Sequence, residues 1–161
     1  MNIPEHVQAL LHGLGQQMGL RQFQLDAEGS CALALDQRII VSLQYRETEN
    51  ELWLYTDLGP VLRRSPAFYE KLLQANLFWQ QTSGATLSLS ADEPPRAVLA
   101  RPLHCMLLEE TSFGAAVETF VHTVENWQEQ LDQAEAETDA KAGSTSAVVA
   151  DNMQWMLGSR A

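Results

Sequence analysis

Side chains that could do chemistry are few, and their spacing matches no common catalytic or metal-binding motif. The two cysteines and four histidines share no metal-ligand spacing, so we expect no zinc site. Ser83 lacks the glycine two residues before it that a nucleophile elbow needs. The adjacent acids Glu109 and Glu110 are typical of a helix start. The sequence therefore predicts no catalytic residues, no metal and no cofactor. A small hydrolase or ligand-binding enzyme using His104 or Glu109 stays the alternative from a different class.

Cys31 and Cys105 fall within or near predicted strands, where a thiol most often serves as a small buried hydrophobic group. We therefore expect both to be free, with a disulfide as the alternative. Gly13-Leu14-Gly15 lies inside a helical pattern and lacks the preceding strand of a phosphate-binding loop.

Charge is uneven along the 161 residues, whose formal net charge is −11. Residues 109–141 contain nine acidic side chains and one basic side chain. The first 108 residues contain eleven acidic and eight basic side chains. Neither part offers the basic stripe that nucleic-acid binding requires. No apolar run approaches the roughly 20 residues that span a bilayer, and the first 20 residues do not resemble a signal peptide. We expect no nucleic-acid partner, no membrane partner and a cytoplasmic location.

Apolar residues at helical spacing predict a first helix, which begins near Pro4 and ends at Gly19. From Phe23 the period changes to two, and short polar breaks separate the alternating runs. This pattern predicts an antiparallel meander over Phe23–Leu25, 31–35, 39–45 and 52–58. Ile40, Trp53 and Tyr55 fall on the opposite strand faces from the other apolar residues, so we expect them to meet a partner chain or ligand. The alternative is a satellite cluster beneath the C-terminal segment.

A helix feeding directly into a strand, over residues 70–89, organises the middle of the chain. Ser65 and Pro66 predict the start of the helix, and Asn76 lies near its end among apolar neighbours. We interpret Asn76 as a structural amide that bonds backbone groups and directs the following strand. The strand ending at Leu89 should pair with residues 96–101 as a second hairpin, and the surplus apolar surface of the helix indicates an oligomer contact.

A last helix should be capped by Thr111 or Ser112, with one apolar side and one acidic side. From residue 134 to 146 the composition predicts a flexible acidic linker, followed by an apolar cluster around Trp155. We therefore predict a folded domain at 1–133 and a tail at 134–161, which could dock on its own domain, on a neighbour or in a ligand groove. The order of elements predicts an α+β fold, an α-β-β-β-α-β-β-α sandwich with a twisted antiparallel sheet and three helices.

That order, together with the text LLQANLFWQQTSGATLSLS at residues 72–90 and the acidic helix through Trp127, resembles the class I type III secretion chaperones of the Tir chaperone (CesT-like) family. The similarity covers about Ile3 to Asp132 and depends on packing residues and one amide. The C-terminal extension from Gly143 departs from the family pattern.

The resemblance implies a cytosolic homodimer that binds the N-terminal chaperone-binding segment of a secreted effector in extended form and keeps it soluble and competent for secretion. Combined with the strand faces, it suggests two sets of residues. We expect the effector-binding groove to comprise Leu10, Leu14, Ile40, Leu43, Trp53 and Tyr55. We expect the dimer interface to comprise Leu62, Phe68, Leu72, Leu87 and Leu89.

The acidic surface should keep the dimer soluble and favour basic effectors. The alternative within the same fold is a chaperone-like regulator whose partner is another regulatory protein of the secretion system.

Overall fold

In the computed structural model, the described backbone covers residues 2–35, 38–62 and 65–157, and side chains are described as far as Gln133. Its helices and strands occur in the predicted order. They are α1 (Glu5–Gln17), β1 (Ser30–Leu35), β2 (Ile39–Arg46), β3 (Glu51–Pro60), α2 (Pro66–Ala75), β4 (Thr86–Leu89), β5 (Arg96–His104) and α3 (Glu110–Leu157). Short 3₁₀ turns occur at Leu77–Trp79 and Cys105–Leu107.

The five strands form one antiparallel sheet in the order β1-β2-β3-β5-β4. The meander and the second hairpin are therefore confirmed, and the hairpin joins the meander through β5, which places β4 at the edge. A strand at Phe23–Leu25 was a wrong prediction, because this segment is irregular. Its alternation has another cause, since Phe23 and Leu25 both enter the core from the connection between α1 and β1.

The core lies between the helices and one face of the sheet. Strand residues of alternating position face it, and each helix adds its apolar stripe. The largest helical contributions come from Leu11 of α1, Leu72 of α2, and Phe113, Phe120 and Trp127 of α3. With the helices on one side, no described residue up to Trp127 forms a helix or strand that covers the opposite sheet face.

The helix α3 begins at Glu110, so the predicted cap residues Thr111 and Ser112 lie inside its first turn. The Ser112 hydroxyl accepts a hydrogen bond from Glu109 N–H at 2.9 Å. The chain divides into two compact units, Met1–Trp127 and Gln128–Ala161. In the second unit the backbone is helical to Leu157. The side chains of the predicted linker and apolar tail at 134–161 lie outside the described residues, so that division and the docking of the tail stay predictions.

Asn76 joins the end of α2 to the edge strand β4, as its structural interpretation requires. Its Oδ1 accepts from Leu87 N–H at 2.8 Å, and its Nδ2 donates to Leu87 C=O at 2.9 Å. The amide thus pairs with Leu87 as a neighbouring strand would, on the side of β4 away from β5. Both backbone groups of Leu87 are satisfied, and the start of β4 is fixed against the helix.

Replacing Asn76 by Ala should lower the free energy of unfolding by about 2–3 kcal/mol, because two backbone groups of a buried residue lose their partners. Urea unfolding followed by circular dichroism measures this change. The control is Ser88→Ala on the exposed side of the same strand, where only a 3.4 Å hydrogen bond is lost and we expect a change below about 0.5 kcal/mol. Equal stability of the two variants would show that the amide bridge does not hold β4.

Candidate partner-binding surfaces

The sheet face away from the helices carries apolar side chains in the open, and we call it the outer sheet face. Ile40 is 59% exposed and Tyr55 is 38% exposed. Strand pairing places Ser42 beside Tyr55 and Tyr55 beside Ala100, so one row of outward side chains crosses β2, β3 and β5. A face of this kind has apolar area available to a partner.

A shallow cavity of about 420 Å³ lies on the outer sheet face, and it combines apolar and charged walls. It is lined by Arg38, Ile40, Ser42, Tyr55, Asp57, Arg96 and Val98. Within it, Asp57 Oδ2 pairs with Arg96 Nε, while Asp57 Oδ1 accepts from Gly59 N–H at 2.9 Å. The bulge between Asp57 and Gly59 shapes this corner, and Gly59 allows it with φ of 120°.

Trp53 lies on the same face, in the row that pairs it with Gln44 and Pro102. Its Nε1 donates to Glu51 at 2.9 Å, and the Arg46 guanidinium lies 5.6 Å from its ring centroid. The indole is therefore held by a hydrogen bond and a cation–π contact while remaining partly accessible.

Helix α1 borders two further cavities, on the helical side of the molecule. One, of about 310 Å³, is walled by Leu14, Met18, Leu33, Leu35 and Val121, with Glu118 and His122 also present. The other, of about 230 Å³, is lined by His6, Ala9, Leu10, Leu108 and Glu110. Both are mainly apolar with acidic groups among their lining residues.

A fourth apolar surface follows the end of α2, and we define the α2 patch as Leu73, Leu77, Phe78 and Trp79. Leu73 is 73% exposed and Phe78 is 77% exposed. Phe78 and Trp79 both adopt positive φ, near 53° and 52°, which bulky residues rarely do. A strained turn that presents large apolar side chains to solvent indicates a surface that a partner covers.

The family model described as Tir chaperone protein (CesT) family matches residues 9–128. The chain belongs to this family. Its match spans all five strands, α2 and most of α1, so the surfaces described above belong to the CesT-family part of the chain.

Solved structures support the same fold. The ExsC–ExsE complex contains a chain with a TM-score of 0.71 and 21% identity, over 81% of this chain and 97% of that one. A chain of the HopA1–SchA chaperone–effector complex has a TM-score of 0.66 and 16% identity, over 77% of this chain and 94% of that one. A chain of the ExoT–SpcS complex from Pseudomonas aeruginosa has a TM-score of 0.57 and 19% identity, over 77% of this chain and 98% of that one. A comparison with curated protein sequences finds no match.

The residues predicted for the groove in this CesT-family chain do not share one surface. Ile40, Trp53 and Tyr55 meet on the outer sheet face, and Leu10 and Leu14 border the two α1 cavities. Leu43 is 1% exposed and points into the core, because it has the same strand parity as Val41.

The residues predicted for the dimer interface separate in a similar way. Leu62 and Leu89 are exposed, and Phe68 is half-buried against the core and in edge contact with Tyr69. Leu72 and Leu87 lie in the core of the single chain.

Several exposed residues of the CesT-family domain were missed by sequence reasoning. Leu77 and Phe78 were not singled out, and Met106 and Leu107 in the turn before α3 are also exposed. The signal for the first pair was present, since three apolar residues follow Asn76 where the helical pattern ends. Nothing in the spacing of Met106 and Leu107 distinguishes them from core residues.

The cysteines are free, as expected. Burial raises the pKa of the Cys31 thiol to about 12, and the carboxylate of Asp26 adds to the shift. Burial also raises the pKa of Cys105. Both groups are therefore protonated at neutral pH. Within the described residues, no three His, Cys, Asp or Glu side chains lie close enough together to hold a metal ion. Across that same part of the chain, no helix is both long and apolar enough to cross a membrane.

Proposed function

We propose that this chain is a cytoplasmic type III secretion chaperone, which binds the N-terminal segment of an effector in extended form and keeps it soluble until export. The observation that carries the proposal is apolar surface left open on a CesT-family domain, at the outer sheet face, the α1 cavities and the α2 patch. Family membership and the chaperone–effector complex among similar structures support it. The role is binding without turnover.

The α2 patch, with Leu62, Phe68 and Leu89, is the proposed homodimer surface. Two copies of an exposed apolar turn can cover each other about a two-fold axis, which is the commonest arrangement of small oligomers. Leu72 of α2 and Leu87 of β4 are buried in the core, so they would support this surface only through packing.

The outer sheet face and the α1 cavities are the proposed cargo surfaces. An unfolded segment loses conformational entropy when it becomes ordered, so many separate apolar anchors are needed to offset that loss. Ile40, Trp53 and Tyr55 would provide anchors on one side of the domain, and Leu10 and Leu14 on the other. Leu43 would act indirectly, by packing beneath the sheet.

The test uses the protein encoded beside the chaperone gene, co-expressed with wild-type chain and with Tyr55→Glu. We expect Tyr55→Glu to lower the yield of soluble complex at least about tenfold, because a carboxylate replaces an apolar anchor. Gln24→Glu, at an exposed polar position in the irregular segment between α1 and β1, is the control. Wild-type binding by Tyr55→Glu would remove the outer sheet face from the cargo site.

A further inference from the structure

We propose that the cavity on the outer sheet face selects cargo segments that present an acidic side chain beside an apolar one. The inference rests on the proposed chaperone function and names the chemistry of the segment that this surface takes.

The charged walls of the cavity leave a positive group available. Asp57 has both carboxylate oxygens engaged, one with Arg96 and one with Gly59 N–H. Arg38 is exposed, and among the described residues its guanidinium has no carboxylate partner. Two arginines therefore line a cavity whose one carboxylate is already paired, so a further carboxylate from outside would complete the charge balance.

The remaining walls determine what accompanies that carboxylate. Ile40, Tyr55 and Val98 provide apolar lining, and Tyr55 also carries a hydroxyl. A free phosphate would use only the arginines, whereas a peptide with an aliphatic or aromatic residue next to Asp or Glu would use both kinds of wall. Arginine is suited to this role because its planar group binds carboxylates through two parallel hydrogen bonds.

Charge distinguishes this cavity from the two α1 cavities. The α1 cavities include Glu110 or Glu118 and contain no arginine or lysine. The formal net charge of −11 predicts a preference for basic effectors, yet the outer sheet face has the opposite local charge. A single cargo that contacts both sides should therefore have its acidic residues in the part that lies on the sheet.

A peptide selection tests this inference without knowledge of the natural cargo. A phage library of random 16-residue peptides is selected on immobilised wild-type chain, on Arg38→Gln and on Arg21→Gln. Arg21 is an exposed arginine in the connection after α1, so it is the matched control for removal of a positive charge. Unchanged urea midpoints show that each variant is folded.

We expect wild-type chain and Arg21→Gln to enrich peptides with Asp or Glu next to an apolar residue, and Arg38→Gln to lose that enrichment. One selected peptide, labelled with a fluorophore, is then used to measure the energetic coupling between Arg38 and the acidic residue of the peptide. Its affinity should fall about fivefold or more with Arg38→Gln, and by a similar factor when its acid is changed to the amide. The two changes together should cause little further loss, because they remove the same contact.

Two results would overturn the inference, and they are distinguishable. Enrichment of apolar peptides with no preference for acids would refute the acidic selection and leave the chaperone function standing. Failure to enrich any peptide above a blank support would count against both.

Discussion

A chain carrying Leu73→Glu and Leu77→Glu should be monomeric at micromolar concentrations at which we expect the wild-type chain to form the proposed homodimer. Both side chains are exposed in the single chain, Leu73 at 73% and Leu77 at 64%. Burial of each in a dimer contact would contribute about 1.5–2 kcal/mol, and a glutamate in the same place adds a desolvation penalty. The dissociation constant should therefore rise at least about a hundredfold.

Sedimentation equilibrium or light scattering after gel filtration measures this change. The matched control is Met106→Glu with Leu107→Glu, because these residues are similarly exposed and apolar but belong to the turn before α3. We expect that double variant to remain dimeric. If the two double variants behave alike, the α2 patch is not the dimer surface.

Replacing Trp127 by Ala should have the largest effect on stability, lowering the free energy of unfolding by about 3–5 kcal/mol. The indole is 1% exposed and is the largest of the fully buried side chains. Its Nε1 donates to Gln81 C=O at 3.2 Å, so the substitution also leaves that carbonyl unpaired. Trp127 thus links α3 to the turn between α2 and β4, which supports the α2 patch.

Trp127→Phe separates the two contributions, because it retains most of the apolar volume and removes the hydrogen bond. We expect it to lower the free energy of unfolding by about 1–2 kcal/mol. Urea unfolding at one fixed protein concentration gives both values, since dimerisation would make the midpoint concentration-dependent. A Trp127→Ala variant as stable as the wild type would show that α3 does not depend on this anchor.

The sequence by itself determined the kinds and order of the elements and the structural role of Asn76. Periods of 3.6 and 2 reflect which side of a helix or strand meets the core, so they can be read locally. The same reasoning placed Ile40, Trp53 and Tyr55 together on one sheet face, because strand parity alone decides this. It misread Phe23–Leu25, where alternating burial occurs in an irregular segment.

Only the tertiary structure decided which surfaces are open. Leu72 and Leu73 are equally apolar, as are Leu87 and Leu89. Packing of α2 against β4 buries Leu72 and Leu87, whereas Leu73 and Leu89 remain exposed. One cavity is lined by Arg38, Asp57 and Arg96, which are far apart in the chain. They meet because β3 pairs with β5 and not with β4, the next strand in the sequence. Long-range pairing sets these neighbours, and no local pattern of residue types contains that information.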